Sequence, residues 1–170
     1  MKSLLLGSTV GILVVALLAG CGGSGTTTPP VSLDFSQMGG NWTGTWHNTT
    51  YDSTGGATLA ATVDPAKSTV QATVTLTGNV FGQPAPAPIT VTGSYTNTTL
   101  TLTTPAASIG TVTATINSDG TLGATVTNIP GGVISQVDVT GTMTATTINA
   151  SYTIHFAAGG TAVGTVVLHK

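Results

Sequence analysis

The chain has 170 residues, 5 % of them charged, with three lysines, five aspartates, no Arg and no Glu. Beyond residue 21, Lys67 and Lys170 stand against Asp34, Asp52, Asp64, Asp119 and Asp138, a side-chain balance of −3. Nucleic acid and anionic lipid surfaces are bound through clustered Lys or Arg, so both partners are excluded, and a single Cys excludes an internal disulfide.

Lys2 supplies a positive start, Leu4 to Leu18 follows almost without polar atoms, and Ala19-Gly20 provides small residues. That order is the pattern of a secretory signal peptide, and the apolar run falls short of the roughly 20 residues needed to span a bilayer. Leu18-Ala19-Gly20-Cys21 resembles the lipobox of bacterial lipoproteins. The resemblance implies that residues 1–20 are removed and that Cys21 is the lipid-attachment residue, its thiol taking diacylglycerol and its amine an acyl chain such as palmitate. Each buried CH2 contributes roughly 0.8 kcal/mol and durable anchoring takes two chains, so such a Cys is a stable membrane anchor. Gly22 differs from the Asp that retains lipoproteins in the inner membrane of enteric bacteria. The implied location is the cell envelope, on the outer membrane where the host has one.

Gly22 to Pro30 reads as a spacer, and residues 21–38 are expected as a flexible linker. Its 16 residues to Gln37 would reach on the order of 20–24 Å. Residues 39–170 then form one domain, and it is β throughout. Thr, Val, Ile and Ala dominate, and period-2 alternation recurs between turn residues. The expected strands are Asn41–Asn48, Ala57–Val63, Thr69–Thr77, Ile89–Thr96, Thr98–Thr103, Thr111–Ile116, Thr121–Thr127, Val137–Ala145, Ile148–Phe156 and Thr161–Lys170. Asp52 to Gly56, Asp64-Pro65, Ser118 to Gly120, Pro130 to Gly132 and Gly159-Gly160 are expected breaks. Gly78–Pro88 and Asn128–Ser135 are expected as longer loops. Short connections make an antiparallel up-and-down meander of about eight to ten strands. One strand face carries Val70, Ala72, Val74, Val112, Ala114, Leu122, Tyr152 and Ile154, and the other is mostly Thr. A sheet with one apolar side closes into a barrel or flattens into a sandwich.

The first strand contains Gly40-Asn41-Trp42, which is similar to the Gly-x-Trp opening strand one of lipocalins. Thr92-Gly93-Ser94, Thr140-Gly141-Thr142 and the run Gly164 to Lys170 resemble turns and last strands of small bacterial lipoproteins. The likeness implies a lipocalin-like barrel with Trp42 packed across one end. Lys170 stands nearest to the place of the Arg that meets this Trp in lipocalins.

The chemistry available is sparse. Strand parity puts His47, His155 and His169 on the polar face, with His169 toward the opposite end from the other two. No zinc site and no cofactor is expected, because first-shell ligands must all lie about 2 Å from one ion. The Asp52 and Asp119 loops are turn chemistry rather than calcium loops, since each offers too few carboxylates and lacks a terminal Glu. No nucleophile elbow, His-Glu-x-x-His or phosphate loop occurs, so the chain is expected not to be an enzyme. Two functions stay open. One is a barrel binding a small apolar ligand, with Trp42 and Trp46 on the wall and Ala or Gly at positions such as 57, 72, 93, 114, 124 and 141 leaving room. The other is a structural or surface-interaction lipoprotein with a solid core.

Overall fold

The computed structural model describes residues 32–80, 83–106 and 110–170; Cys21, the signal peptide and most of the expected linker lie outside the described residues. A 3-10 turn, Phe35–Gln37, is followed by β1 (Gly40–Asn48), β2 (Ser53–Asp64) and β3 (Thr69–Leu76). Next come β4 (Asn79–Val80), β5 (Gln83–Pro84), β6 (Ile89–Tyr95), β7 (Thr99–Ala106) and β8 (Gly110–Asn117). The chain continues through β9 (Thr121–Thr127), β10 (Ile134–Met143), β11 (Thr147–Phe156) and β12 (Thr161–His169). All ten expected strands form, and they close into one antiparallel barrel ordered β1-β12-β11-β10-β9-β8-β7-β6-β3-β2. The choice between barrel and sandwich is settled by the β1–β12 ladder, in which Thr43 faces His169 and Asn48 faces Gly164. The stretch 78–88, expected as a loop, carries the small hairpin β4–β5.

Four hairpin turns gather at one end, and each is tied by a side chain at its start. Asp64 accepts the N–H groups of Ala66 and Lys67 at 3.1 and 3.3 Å, and Asp119 that of Thr121 at 2.8 Å. The hydroxyls of Thr96 and Thr144 accept N–H groups two and three residues on. Short Asp and Thr side chains offer the backbone this local alternative to a ladder, which is why tight reversals fall there.

The ladders fix the shape. A circuit across neighbouring strands runs Asn48, Gly164, Tyr152, Val139, Ala124, Ala114, Leu102, Gly93, Val70, Val63. Val63 lies two residues beyond Ala61, the partner of Gly40, so the circuit returns at the level of Met38, ten residues below its start. Ten strands with a shear of ten tilt by about 36° and enclose a backbone radius of roughly 9 Å. An eight-stranded barrel is about filled by ordinary side chains; this one is wider.

Alternation sends Trp42, Trp46, Ala57, Val70, Leu100, Ile116 and Leu168 inward, where all are buried, and Thr43, Thr45, Thr58, Thr101 and Thr103 outward. A membrane-spanning barrel has the reverse arrangement, apolar outside and polar within.

The seam can be probed directly. In a chain starting at Gly22, Thr43→Cys with His169→Cys is expected to oxidise to a disulfide with the fold intact, since cross-strand Cα atoms about 4.5–5.5 Å apart admit one. Two free thiols on a chain with unchanged circular dichroism would mean an open seam.

Candidate functional site

The two ends of the barrel differ. At the end where β1 begins, Leu33 to Met38 cross the opening as a plug. The Leu33 N–H donates to the Ser118 carbonyl at 2.7 Å. Asp34 caps the 3-10 turn by accepting the N–H and hydroxyl of Ser36 at 2.9 and 2.6 Å. Phe35 and Met38 are buried, and the Phe35 ring tilts against Tyr95 with centroids 6.2 Å apart. These residues fall inside the stretch expected as linker, yet they belong to the barrel. The signal was present in Leu33, Phe35 and Met38, which are too apolar for a solvated spacer.

Behind the plug lies Trp42, 0 % exposed. The ammonium of Lys170 sits 5.5 Å from its ring centroid and donates to the Gln37 carbonyl at 2.9 Å. Lys170 thus lies over Trp42 and straps the plug, a cation–π arrangement. The remaining core fills this half: Val70, Leu100, Ile116, Met143, Ile148 and Leu168 are only 2–8 % exposed.

The opposite half is filled unevenly: Ile154 on β11 and Ala162 on β12 are buried there, at 5 and 0 % exposure. Ala72, Val91 and Ala114 are buried at mid-height. Beyond them Val74, Leu76, Val112, Val126, Val137 and Val139 are partly exposed, although register points them inward with those three. The inner face of this half is an apolar cup of Val, Ala and Leu, partly exposed along β3 and β8–β10 and closed along β11 and β12, with its mouth at the end of β1.

Trp46 belongs to the wall of that cup. Its ring lies against Gly55 and Gly78, and its indole N–H donates to the Thr77 carbonyl at 2.9 Å. A Cβ on Gly55 would collide with the Thr77 carbonyl and stand 2.6 Å from the indole nitrogen. The expected break over Asp52 to Gly56 is therefore wrong in part. β2 starts at Ser53 and pairs with β1 from Ser53 to Ala61, because Gly55 is the seat of the Trp46 ring rather than a turn residue.

Asn48 and its cross-strand partner Ser53 put polar groups on the inner face near the mouth, which the sequence pattern did not reveal. Asn48 is fully buried; its side-chain oxygen accepts the Tyr51 N–H at 2.9 Å, and its amide nitrogen has no partner in full hydrogen-bond geometry. Beside it, Tyr152 extends over Gly164, where a Cβ would strike the Tyr152 ring and the His47 carbonyl. The Tyr152 hydroxyl donates to the His47 carbonyl across a long 3.4 Å. Burial pushes its phenol above the ordinary range, opposed by the neighbouring Asn48 amide.

The charged residues lie elsewhere. His155 and Asp138 meet at 2.9 Å on the outer face, where Asp138 also accepts from Gln136 and Thr125. The Gln136 amide leads in holding the Asp138 carboxyl below its usual range, with the His155 and Thr125 bonds adding to it against a desolvation that raises it. His155 lies on the polar face as its strand parity predicts, and is paired there. His47 stands 3.5 Å from exposed Asp52, and His169 is exposed at the other end. Among the described residues no group of three His, Cys, Asp or Glu is placed to hold a metal.

Two surface depressions accompany the barrel. One of about 450 Å³ lies against the β2–β3–β6 wall at Asp64, Gln71 and Thr92. The other, about 380 Å³, lies beside the plug between Asp34 and Asp119. No family model matches the chain, and no curated protein matches it.

Proposed function

We propose that this chain is a membrane-anchored lipoprotein of the cell envelope, lipidated at Cys21, whose lipocalin-like barrel binds a small apolar ligand without catalysis. The observation that supports it is the partly exposed apolar inner face opposite the plug. Apolar surface inside a concave wall is the ordinary form of a small-molecule site, and a ten-stranded barrel is wide enough to hold one.

Trp46 is the tryptophan nearer the mouth, with Trp42 behind the floor. Titrating residues 22–170 with a neutral hydrophobic dye such as Nile red is expected to change tryptophan emission saturably. Trp46→Phe should remove most of that change. A flat response across a panel of apolar probes, with nothing co-purified in a native mass spectrum, would favour a solid-core structural or surface-interaction lipoprotein.

A further inference from the structure

Near the mouth the polar side chains of the inner wall are Asn48, its cross-strand partner Ser53 and Tyr152. On the described strands no inward position carries a charged side chain. Lys170, the cation nearest the barrel axis, is engaged at the plugged end with Gln37 and Trp42. An ionised head group entering the cup would lose its hydration and find no counter-ion there, which strongly disfavours it. A neutral polar group meets no such barrier.

The hydrogen bonds around Tyr152 are incomplete. A buried amide nitrogen normally finds a close acceptor, whereas that of Asn48 only approaches the Tyr152 oxygen loosely, outside full hydrogen-bond geometry. The Tyr152 hydroxyl, which lies next to it, donates only across 3.4 Å, at the weak end of hydrogen-bond geometry. A hydroxyl both donates and accepts. A ligand oxygen at the mouth would draw the Tyr152 proton away from the His47 carbonyl, and the Asn48 amide would then donate to the Tyr152 oxygen. Both deficits are met by one acceptor atom. The raised phenol keeps this proton in place through neutral pH.

We infer that the ligand is an uncharged apolar molecule bearing one oxygen acceptor, such as an alcohol, ester, amide or ketone, bound through the Tyr152 hydroxyl with Asn48 positioned behind it. This rests on the reading of the cup as a binding site and narrows its ligand class. Tyr152 touches the ligand; Asn48 is a positioning residue that acts through it.

Three probes of equal chain length test the inference on residues 22–170 at pH 8: dodecanol, dodecanoate and dodecane, each delivered from cyclodextrin and followed by dye displacement. Dodecanol is expected to bind about tenfold more tightly than dodecane, as one neutral hydrogen bond allows, and dodecanoate more weakly than dodecanol. Within Tyr152→Phe, dodecanol should bind no more tightly than dodecane does to the same variant. Dodecanoate as the tightest probe, or an unaltered dodecanol preference in Tyr152→Phe, would overturn the inference while leaving the cup standing. Failure of all three to bind would remove the cup and the inference together. The order of the probes on the unsubstituted chain decides the charge question even if the variant does not fold.

Discussion

Trp42→Ala is expected to destabilise the barrel by about 3–5 kcal/mol, the usual loss when a large aromatic is removed from a packed interior. The site cannot collapse to fill the gap. Trp42 is 0 % exposed, wedged between the plug, Leu59 on β2 and the Lys170 side chain. Its loss also frees the plug, because the Lys170–Gln37 strap rests on its ring. With one Cys in the chain there is no internal disulfide to compensate. Trp42→Phe should lose much less, since it keeps most of the ring contact and removes an indole N–H that has no acceptor. Urea denaturation of both variants measures the difference. A loss below about 1 kcal/mol for Trp42→Ala would show that this end is not packed as described.

Cys21→Ala carries the second large effect, on location rather than stability. Only a thiol accepts the diacylglyceryl group implied by the lipobox resemblance, and position 21 holds the one thiol of the chain. Lipid incorporation is expected to fall to background and the protein to leave the membrane fraction. The barrel should be unchanged, because its described contacts begin at Leu33. Labelled palmitate uptake with fractionation reads the first outcome and circular dichroism the second. Continued palmitate labelling of the variant would end the lipoprotein reading.

The strands were legible because β-branched residues alternate with so little interruption: Val70, Ala72 and Val74 against Gln71, Thr73 and Thr75 leave one register in which the apolar set is buried. Closure was less legible, as it depends on β1 meeting β12 across the whole domain. Gly55 misled because a glycine pair beside Asp52 looks like a turn, and nothing local reveals that an indole from the neighbouring strand occupies the space. The plug was hidden by its polar surroundings. Asn48 and Tyr152 were missed for a different reason. Asn48 has the parity of Trp42 and Trp46 but the chemistry of a turn residue, and Tyr152 passes for ordinary core until Gly164 shows where its ring goes. Trp42 and Trp46 were singled out together. The structure puts one behind the floor of the cup and the other in its wall, a division that follows from the plug.

The seam between the first and last strands also governs the order in which the molecule can form. Until β12 exists, β1 has β2 on one side and unpaired backbone on the other, and the Thr43–His169 pairing spans nearly the whole domain. Contacts this distant in sequence slow the search for the native state, and an open strand edge meanwhile invites pairing with another chain. Every other barrel ladder but one joins strands that are consecutive in the chain, the exception being β3–β6 across the small hairpin. The meander is thus able to grow strand by strand as the chain is delivered, with a single distant step left for the end. Trp42 gains its Lys170 lid only at that step, so the burial of one indole marks the moment at which the barrel is complete.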